Sequence, residues 1–317
     1  MKKVLGISFG RHGKNCDIVV KQALMAAKEA GAQVKFVNTM NMKINHCTGC
    51  GACSRSRDNG GQIKCVLKDD YLELENEVLE ADGIIVAAPV YSIAPTGQLK
   101  NFIDRFGAAH DLAAATEEQK KRIKSGATEL LDERLFKNKY VAYISVGGAH
   151  TQNWVALGLP NFHMFGMSTC MIGVGQIDAY DMGHRTNPVL DPPFMEEIAG
   201  LGKHMVESIG KEKKDIKWYG QDGHCPVCHN SILKLDKTTR VECPICGIYG
   251  DLSIVDGEVK VVFSEEEQNR ARCTINGLYE HYYELKDMKK VIIPKLEANK
   301  ETLPKLLEPF KNFENTY

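Results

Sequence analysis

The sequence predicts an α/β protein with a doubly wound, five-stranded parallel sheet, followed by a small β-rich domain with four cysteines and a C-terminal helix. Two observations predict this arrangement. Five apolar segments rich in β-branched residues recur within residues 1–212, with helical periodicity between them. Beyond about residue 213 the composition changes to short strand-like runs and two CPxC motifs. A chain of 317 residues is long enough for about two domains.

The strand candidates have continuous rather than alternating hydrophobicity, which is typical of strands covered on both faces of a parallel sheet. In chain order they are KKVLGISF, QVKFVN, GIIVAAPV, KYVAYISVG and TCMIGVGQI. The helical segment between the first two ends at Gly31, a residue suited to the left-handed conformation that closes many helices. Residues 110–136 are rich in charge, and we interpret them as a helical insertion or lid; the simpler alternative is a solvated helix face.

The bulk composition argues against several classes of protein. The chain has 40 Lys and Arg against 41 Asp and Glu, so its net charge of -1 gives no indication of nucleic-acid binding. No apolar stretch approaches the roughly 18 residues of a membrane span. The N-terminal apolar run in MKKVLGISFG is too short for a signal peptide, so we expect a cytoplasmic protein. In that reducing compartment, clustered cysteines are more typical of metal or redox sites than of disulfides.

A first group of cysteines lies in the loop 46–66, with the spacing C-x2-C-x2-C-x11-C. Its members are Cys47, Cys50, Cys53 and Cys65. Three thiolates at two-residue spacing suit three corners of an iron-sulfur cubane, with the fourth ligand supplied from elsewhere in the sequence. Zinc is the competing metal, although its sites usually pair cysteines in two knuckles. Free or redox-active thiols are the third possibility.

A second group has the spacing C-x2-C-x14-C-x2-C within residues 224–263. It consists of Cys225, Cys228, Cys243 and Cys246. Two knuckles of this kind direct four thiolates to one tetrahedral ion, either zinc or a mononuclear iron as in rubredoxin-like modules. His229 stands where rubredoxins generally have glycine, which favours structural zinc. We interpret His224 and His229 as flanking residues, because the four cysteines complete the site.

The first predicted strand runs directly into SFGRHGKNC and then a helix, a place where α/β sheets bind anionic ligands. The loop matches neither the Walker A motif nor G-x-G-x-x-G. The third strand ends in APVYSIAPTGQLKNFIDRF, whose PVY, LK and FIDR residues resemble the signature of the flavodoxin-like NADPH-dependent FMN reductases. The first loop is similar to the phosphate loop of that family, except that Phe9 and Cys16 replace two hydroxyl residues.

The resemblance implies a flavodoxin-like fold and an FMN site made by three loops. The implied residues are Ser8, Arg11, Asn15 and Cys16 at the phosphate, Pro89, Val90, Tyr91, Ser92 and Ile93 along the flavin ring, and Gly147, Gly148 and His150 after the fourth strand. The glycines would let the backbone approach the ring closely. The alternative for Tyr91 and Trp154 is simple packing in the core.

The motifs CTGCGAC and CVLKDDY resemble the iron-sulfur flavoprotein branch of this family. The eleven residues between Cys53 and Cys65 are more than that branch commonly has. The resemblance implies a [4Fe-4S] cluster near the FMN of a neighbouring subunit, and therefore a homo-oligomer, either a dimer or a tetramer.

These observations predict an FMN-dependent oxidoreductase with a [4Fe-4S] cluster. It would move electrons between a reduced carrier, ferredoxin or NAD(P)H, and an unidentified acceptor. An oxygen-sensitive cluster suggests an anaerobic host. One alternative is a non-catalytic electron-transfer or redox-sensing partner protein. Another is a plain FMN or quinone reductase with zinc at both cysteine sites. The sequence identifies no catalytic acid or base.

Overall fold

A computed structural model describes residues 1–183 and 186–313. Its central sheet has the strand order β2-β1-β3-β5-β6-β7, and every pair along this path is parallel. The strands are β1 Lys3–Ser8, β2 Gln33–Asn38, β3 Gly83–Tyr91, β4 Ala94–Pro95, β5 Tyr140–Val146, β6 Ile172–Ala179 and β7 Tyr219–Gly220. The predicted five-stranded doubly wound sheet is confirmed. The structure adds two strands of two residues each, of which β4 pairs antiparallel with the end of β3.

Helices cover both faces of this sheet, which explains why its strands are apolar throughout. The helices are α1 Asn15–Glu29, α2 Ala52–Asp58, α3 Tyr71–Glu80, α4 Gly97–Ala109, α5 Leu112–Ser125, α6 Gly158–Phe162 and α7 Pro192–Ser208. One hydrophobic cluster joins α1 and α7 to the sheet, and a second joins α3, α4 and α6 to the opposite face. After α1, Gly31 has φ +90°, the left-handed conformation expected from the sequence.

A second, antiparallel sheet surrounds the C-terminal cysteines. Its order is β11-β10-β9-β8, with β8 Lys234–Leu235, β9 Arg240–Glu242, β10 Tyr249–Val255 and β11 Glu258–Val262. The core of this domain is small, and the four cysteines are themselves part of it. The amide Nε2 of Gln176 on β6 donates to the carbonyls of Gln221 (2.9 Å) and His229 (2.7 Å), so hydrogen bonds join this domain to the parallel sheet.

The chain continues through α8 Glu265–Asn269, α9 Ile275–Ala298 and α10 Leu303–Lys311. Only Gly277 and Leu278 are buried in α9, and no residue of α10 is buried. Within the residues that the structure describes, no helix combines the length and the apolar content that a bilayer span requires. The last four residues of the predicted second domain, 314–317, lie outside the described part.

Candidate flavin site and metal centres

The predicted phosphate loop connects β1 to α1, so backbone amides at the helix N-terminus face the carboxyl end of the sheet. Three hydrogen bonds fix its shape: the Gly13 amide donates to Asp17 Oδ2 (2.7 Å), the Gly10 amide to Ser8 Oγ (3.3 Å), and Asn38 Nδ2 to the Gly10 carbonyl (3.0 Å). An N-terminus of this kind stabilises an anion through free amides and the helix dipole. The position of the loop at the N-terminus of α1 agrees with the prediction of a phosphate site there, which stays a prediction.

The four residues implied for the phosphate occupy different environments. Ser8 and Cys16 are buried and Arg11 is exposed, while Asn15 Nδ2 donates to the Met182 carbonyl (2.9 Å) and ties this loop to the loop after β6. Burial raises the pKa of the Cys16 thiol to about 12, so the residue is a neutral thiol packed in the core. Their roles toward a phosphate stay predictions.

The loop after β3 carries backbone strain at the predicted flavin position. Ser92 and Ile93 have φ +50° and +76°, a region that β-branched residues such as isoleucine rarely adopt. These two residues form the tight turn that joins β3 to β4, and such two-residue turns require positive φ at both positions. Tyr91 and Trp154 are 56% and 62% exposed, so the alternative that they pack in the core is wrong.

In the loop after β5, a side chain would clash at Gly147 with Val155 of the same loop, whereas Gly148 makes ordinary contact with the loop after β6. A Cβ on Gly147 would lie 2.2 Å from Val155 Cγ1, and one on Gly148 would lie 3.4 Å from the Gly183 Cα. The exposed side chain of His150 contacts the Asp181 carboxylate.

The predicted flavin loops meet at the carboxyl ends of β1, β3 and β5. The strand order reverses between β1 and β3, and ligands of α/β sheets bind at such switch points. Exposed apolar side chains surround this place: Tyr91, Ile93, Trp154 and Leu157. The Leu157 amide donates to the Ile93 carbonyl (3.2 Å) and holds the two loops together. A planar, largely apolar ring fits these surroundings.

Residues 3–177, more than half of the chain, match the family model of the NADPH-dependent FMN reductases. The chain belongs to this family. It is accordingly a flavin-dependent oxidoreductase, and the family identifies FMN as its flavin. Its flavin loops and phosphate loop lie within the matched residues.

The similarity to individual relatives extends over different lengths of this chain. It is 27% identical over 297 residues to a flavone synthase, cfoJ, of Aspergillus candidus, covering 89% of this chain and 88% of that protein. It is 37% identical over 150 residues to an iron-sulfur flavoprotein of Methanosarcina thermophila, covering 46% of this chain but only 64% of the relative. A solved flavone reductase has the same fold over 99% of both chains, with a TM-score of 0.82 and 24% identity.

The four cysteines of loop 46–66 are not arranged around a single ion. Cys47 and Cys50 are exposed in an irregular segment, Cys53 is on α2, and Cys65 precedes α3. Within residues 1–183 and 186–313, they form no group whose ligand atoms all lie within 4.8 Å of one another. Each thiolate of a cubane binds a different iron, whereas zinc gathers all its ligands on one ion. The iron-sulfur and zinc hypotheses for this loop both stay predictions.

Cys65 is held by a buried ion pair that the sequence did not reveal. Arg105 Nη2 donates to Cys65 Sγ (3.3 Å), and Nη1 donates to Asp69 Oδ2 (2.6 Å). The side chains of Arg105 and Asp69 are 1% and 0% exposed. Burial alone would raise the pKa of Asp69, but hydrogen bonds from Arg105 and the Asn45 amide lower it below its ordinary value. The guanidinium also lies 4.0 Å from the Tyr71 ring centroid, so a fixed positive charge faces the thiol.

The C-terminal cysteines form a site for one tetrahedral ion. All four are buried, and their Sγ atoms lie within 4.8 Å of one another. The Sγ atoms of Cys228 and Cys243 are 3.6 Å apart, close to the roughly 3.8 Å that four Zn–S bonds of 2.3 Å require in a tetrahedron. The Cys246 amide donates to Cys243 Sγ (3.4 Å), as expected for a thiolate in a metal knuckle. The residues present fit zinc or a mononuclear iron.

The two knuckles have the same backbone geometry. His229 and Gly247 follow the second cysteine of each, with φ +54° and +70°, and their amides donate to the carbonyls of Cys225 and Cys243. A histidine is tolerated there because its ring stacks on Trp218 at 3.8 Å and its Nδ1 contacts Asp222 Oδ1 at 2.7 Å. These contacts agree with the interpretation of His229 as a flanking residue.

Proposed function

We propose that this protein is a cytoplasmic FMN-dependent oxidoreductase in which a [4Fe-4S] cluster on Cys47, Cys50, Cys53 and Cys65 exchanges electrons with the flavin. The observation that carries the proposal is the buried Arg105–Asp69 pair, whose hydrogen bond aims a fixed cation at Cys65 Sγ. A hydrogen bond from this buried cation would hold the Cys65 sulfur in one orientation as a ligand to iron. The similarity to an iron-sulfur flavoprotein supports the same assignment. All eleven cysteines are free, as in a reducing compartment.

Different residues of the chain would bind the two cofactors. The Arg11 guanidinium and the backbone amides in the first turn of α1 would bind the FMN phosphate, and the loops 89–94 and 147–150 would orient the ring. A cluster passes single electrons and a flavin carries one or two, so the pair would link a one-electron donor such as ferredoxin to a two-electron acceptor. NAD(P)H is the alternative donor.

Metal and flavin analysis of anaerobically purified protein tests this assignment. We expect about four irons, one zinc and one FMN per chain. Cys53→Ser should lose most of the iron and retain FMN and zinc, whereas Cys170→Ser, outside both cysteine groups, should retain all three. Wild-type protein that contains zinc without iron would contradict the cluster. A fifth iron in place of zinc would make the C-terminal site a second electron carrier.

We further propose that the acceptor is a planar aromatic ketone with a conjugated C=C bond, such as a flavone. The specific observation is that the similarity to a flavone synthase extends over 89% of this chain. A flavone is by that name the relative's product, and the reverse of such a reaction takes the flavone as acceptor. Reduced FMN supplies a hydride equivalent to such a bond, and a proton completes its reduction. Anaerobic mixing of reduced enzyme with flavone should reoxidise the flavin and form the dihydro product. Reoxidation by ferricyanide but not by flavone would contradict this choice of acceptor.

We propose that the protein is a homo-oligomer and that its C-terminal helices contribute to the interface. Apolar side chains on these helices that are at least two-fifths exposed are Leu285, Met288, Val291, Ile292, Ile293 and Leu296 on α9, and Leu306, Leu307 and Phe310 on α10. A patch of this size on an otherwise charged surface is typical of an interface. Two copies of these helices can cover each other's apolar faces around a twofold axis.

Light scattering after gel filtration tests the oligomer. We expect Ile292→Glu combined with Phe310→Glu to reduce the molar mass of the wild-type assembly to that of a smaller species. The matched control is Ile123→Glu, which places the same charge on a residue of α5 that is 62% exposed. A wild-type protein with the 35.3 kDa mass of one chain would contradict the proposal.

A further inference from the structure

Three buried polar side chains form a connected chain beside the cysteine loop 46–66. The Tyr71 hydroxyl donates to Glu75 Oε1 (2.8 Å), and the same oxygen lies 3.4 Å from His110 Nε2. All three residues are buried, and none belongs to the flavin loops or to the C-terminal metal site. A buried carboxyl group beside a buried imidazole is costly for a fold and is typical of sites that bind or transfer protons.

The ring of Tyr71 connects this chain to Cys65. The Arg105 guanidinium lies over the ring, 4.0 Å from its centroid, and Arg105 Nη2 donates to Cys65 Sγ (3.3 Å). Two side chains, Arg105 and Tyr71, therefore lie between Glu75 and the sulfur. Both are buried, so little water screens a charge at Cys65 from the Glu75 carboxyl. Two charges about 10 Å apart at an effective dielectric constant of about 20 change each other's equilibria roughly tenfold.

Glu75 has access to solvent through a cavity of about 620 Å³. Glu75 and His110 are both in the wall of this cavity, which also includes the exposed side chains of Lys64, Asn76 and Leu130. A polar cavity of this volume has room for water. Protons can therefore reach Glu75 from solvent although the carboxyl itself is buried.

The contacts of His110 define where a proton can be held. Its Nδ1 is 2.9 Å from the Phe106 carbonyl, which can only accept, so Nδ1 carries a hydrogen. In the neutral ring Nε2 is then an acceptor that faces Glu75, and a protonated Glu75 can donate to it. Burial raises the pKa of Glu75 to about 7, and burial lowers the pKa of His110 to about 4. Near neutral pH the Glu75 carboxyl is therefore the member of this pair that gains or loses a proton.

The charges around Glu75 keep its pKa close to neutral pH. The Tyr71 hydroxyl and two cations, Arg105 and Arg134, offset part of the effect of burial. An electron added at Cys65 would act in the opposite direction, because a negative charge favours the protonated carboxyl. The titratable and charged groups that face Glu75 or share its cavity are Tyr71 on α3, Arg105 and His110 on α4, Lys64 in loop 46–66, and Asp132 and Arg134 after α5.

We propose that Glu75 takes up one proton from solvent when one electron reaches the cluster bound by Cys65, and releases the proton when that electron leaves. The electron comes from the reduced donor of the proposed function, and the proton converts the Glu75 carboxylate to the carboxylic acid. The net charge of this buried region then stays the same, so reduction is easier at low pH. The inference rests on the proposed [4Fe-4S] cluster and adds a proton-binding residue that tunes its reduction.

Redox titration of the iron-loaded protein, followed by electron paramagnetic resonance, tests this linkage. At a fixed potential, we expect the ratio of reduced to oxidised cluster to fall about tenfold between pH 6 and pH 9 in the wild type. In Glu75→Gln, which keeps the size of the side chain but cannot titrate, the ratio should change less than about twofold. Glu73→Gln is the matched control, because Glu73 is an exposed glutamate of the same helix and its loss should leave the wild-type dependence.

A second variant and infrared spectroscopy give two further readouts. Tyr71→Phe keeps the ring under Arg105 but removes the hydrogen bond that lowers the pKa of Glu75, so the pH range of the dependence should move upward. The reduced-minus-oxidised infrared difference spectrum of the wild type at pH 8 should gain the C=O stretch of a carboxylic acid. This band should be missing from Glu75→Gln and present in Glu73→Gln.

A wild-type ratio that is the same at pH 6 and pH 9 would overturn the proposal, as would a Glu75→Gln protein that keeps the wild-type dependence. An infrared difference spectrum of the wild type without the carboxylic acid band would also overturn it, even if Glu75→Gln failed to fold. In these cases iron and FMN would still be bound, and the proposed function would stand. Wild-type protein that contains FMN but no iron would instead refute the proposed cluster, and this inference with it.

Discussion

Replacing Cys243 by serine is expected to unfold the C-terminal domain while the parallel-sheet domain stays folded. The Sγ of Cys243 lies next to that of Cys228 and accepts a hydrogen bond from the Cys246 amide. Without this thiolate the metal ion would have only three cysteine ligands. The domain has little other core, since its hydrophobic cluster consists largely of the four cysteines and a few residues around Val241 and Phe263. Structural zinc contributes an apparent free energy of about 10–16 kcal/mol in small zinc domains, far more than such a core provides.

Limited proteolysis with metal analysis measures this effect. We expect cleavage of Cys243→Ser within residues 224–263, loss of one metal ion per chain, and an intact N-terminal fragment that retains FMN. A chelator strong enough to remove the ion should produce the same fragment from the wild type. Cys170→Ser lies outside the domain and should remain resistant. A metal-free second domain that resists protease as well as the wild type would contradict a structural ion.

The strands of the parallel sheet were predictable because each is buried on both faces and therefore carries a continuous apolar run. Gly31 was predictable for a similar local reason, since a left-handed residue after a helix favours glycine. Strands β4 and β7 were not predictable, because two residues leave no pattern and their pairing depends on where neighbouring loops lie. The four-cysteine site was predictable from spacing alone, as each knuckle is a local turn that presents two thiolates.

The site features that the sequence could not predict depend on contacts between residues that are far apart in the chain. Arg105 belongs to the FIDR motif and Asp69 to the motif after Cys65, but only the fold shows that they meet across 36 positions. The same holds for Asp178, whose backbone amide donates to Gln221 Oε1 (3.0 Å) across 43 positions.

Replacing Arg105 by methionine is expected to destabilise the parallel-sheet domain by about 3–5 kcal/mol and to lower the iron content. The substitution leaves the Asp69 carboxylate buried without its cation, and breaking one partner of a buried pair costs about that much. It also removes the hydrogen bond to Cys65 Sγ. Denaturant unfolding of the metal-free protein measures the loss of unfolding free energy, and iron analysis measures the loss of iron.

The pH dependence of this destabilisation identifies its cause. In the wild type the pKa of Asp69 is below its ordinary value of 3.8, so the pair contributes stability above that pH, which is lost as the pH falls through the lowered pKa. In Arg105→Met the buried Asp69 carboxyl has no cation beside it, so its pKa should rise above 3.8. Protonation of Asp69 should then remove the unpaired buried charge. The difference in unfolding free energy should therefore shrink from pH 7 toward pH 4. The double variant Arg105→Met with Asp69→Leu should recover stability but not iron, because the apolar pair restores packing without a donor to Cys65. If this double variant is as unstable as Arg105→Met at pH 7, the cost comes from lost packing and not from an unpaired charge.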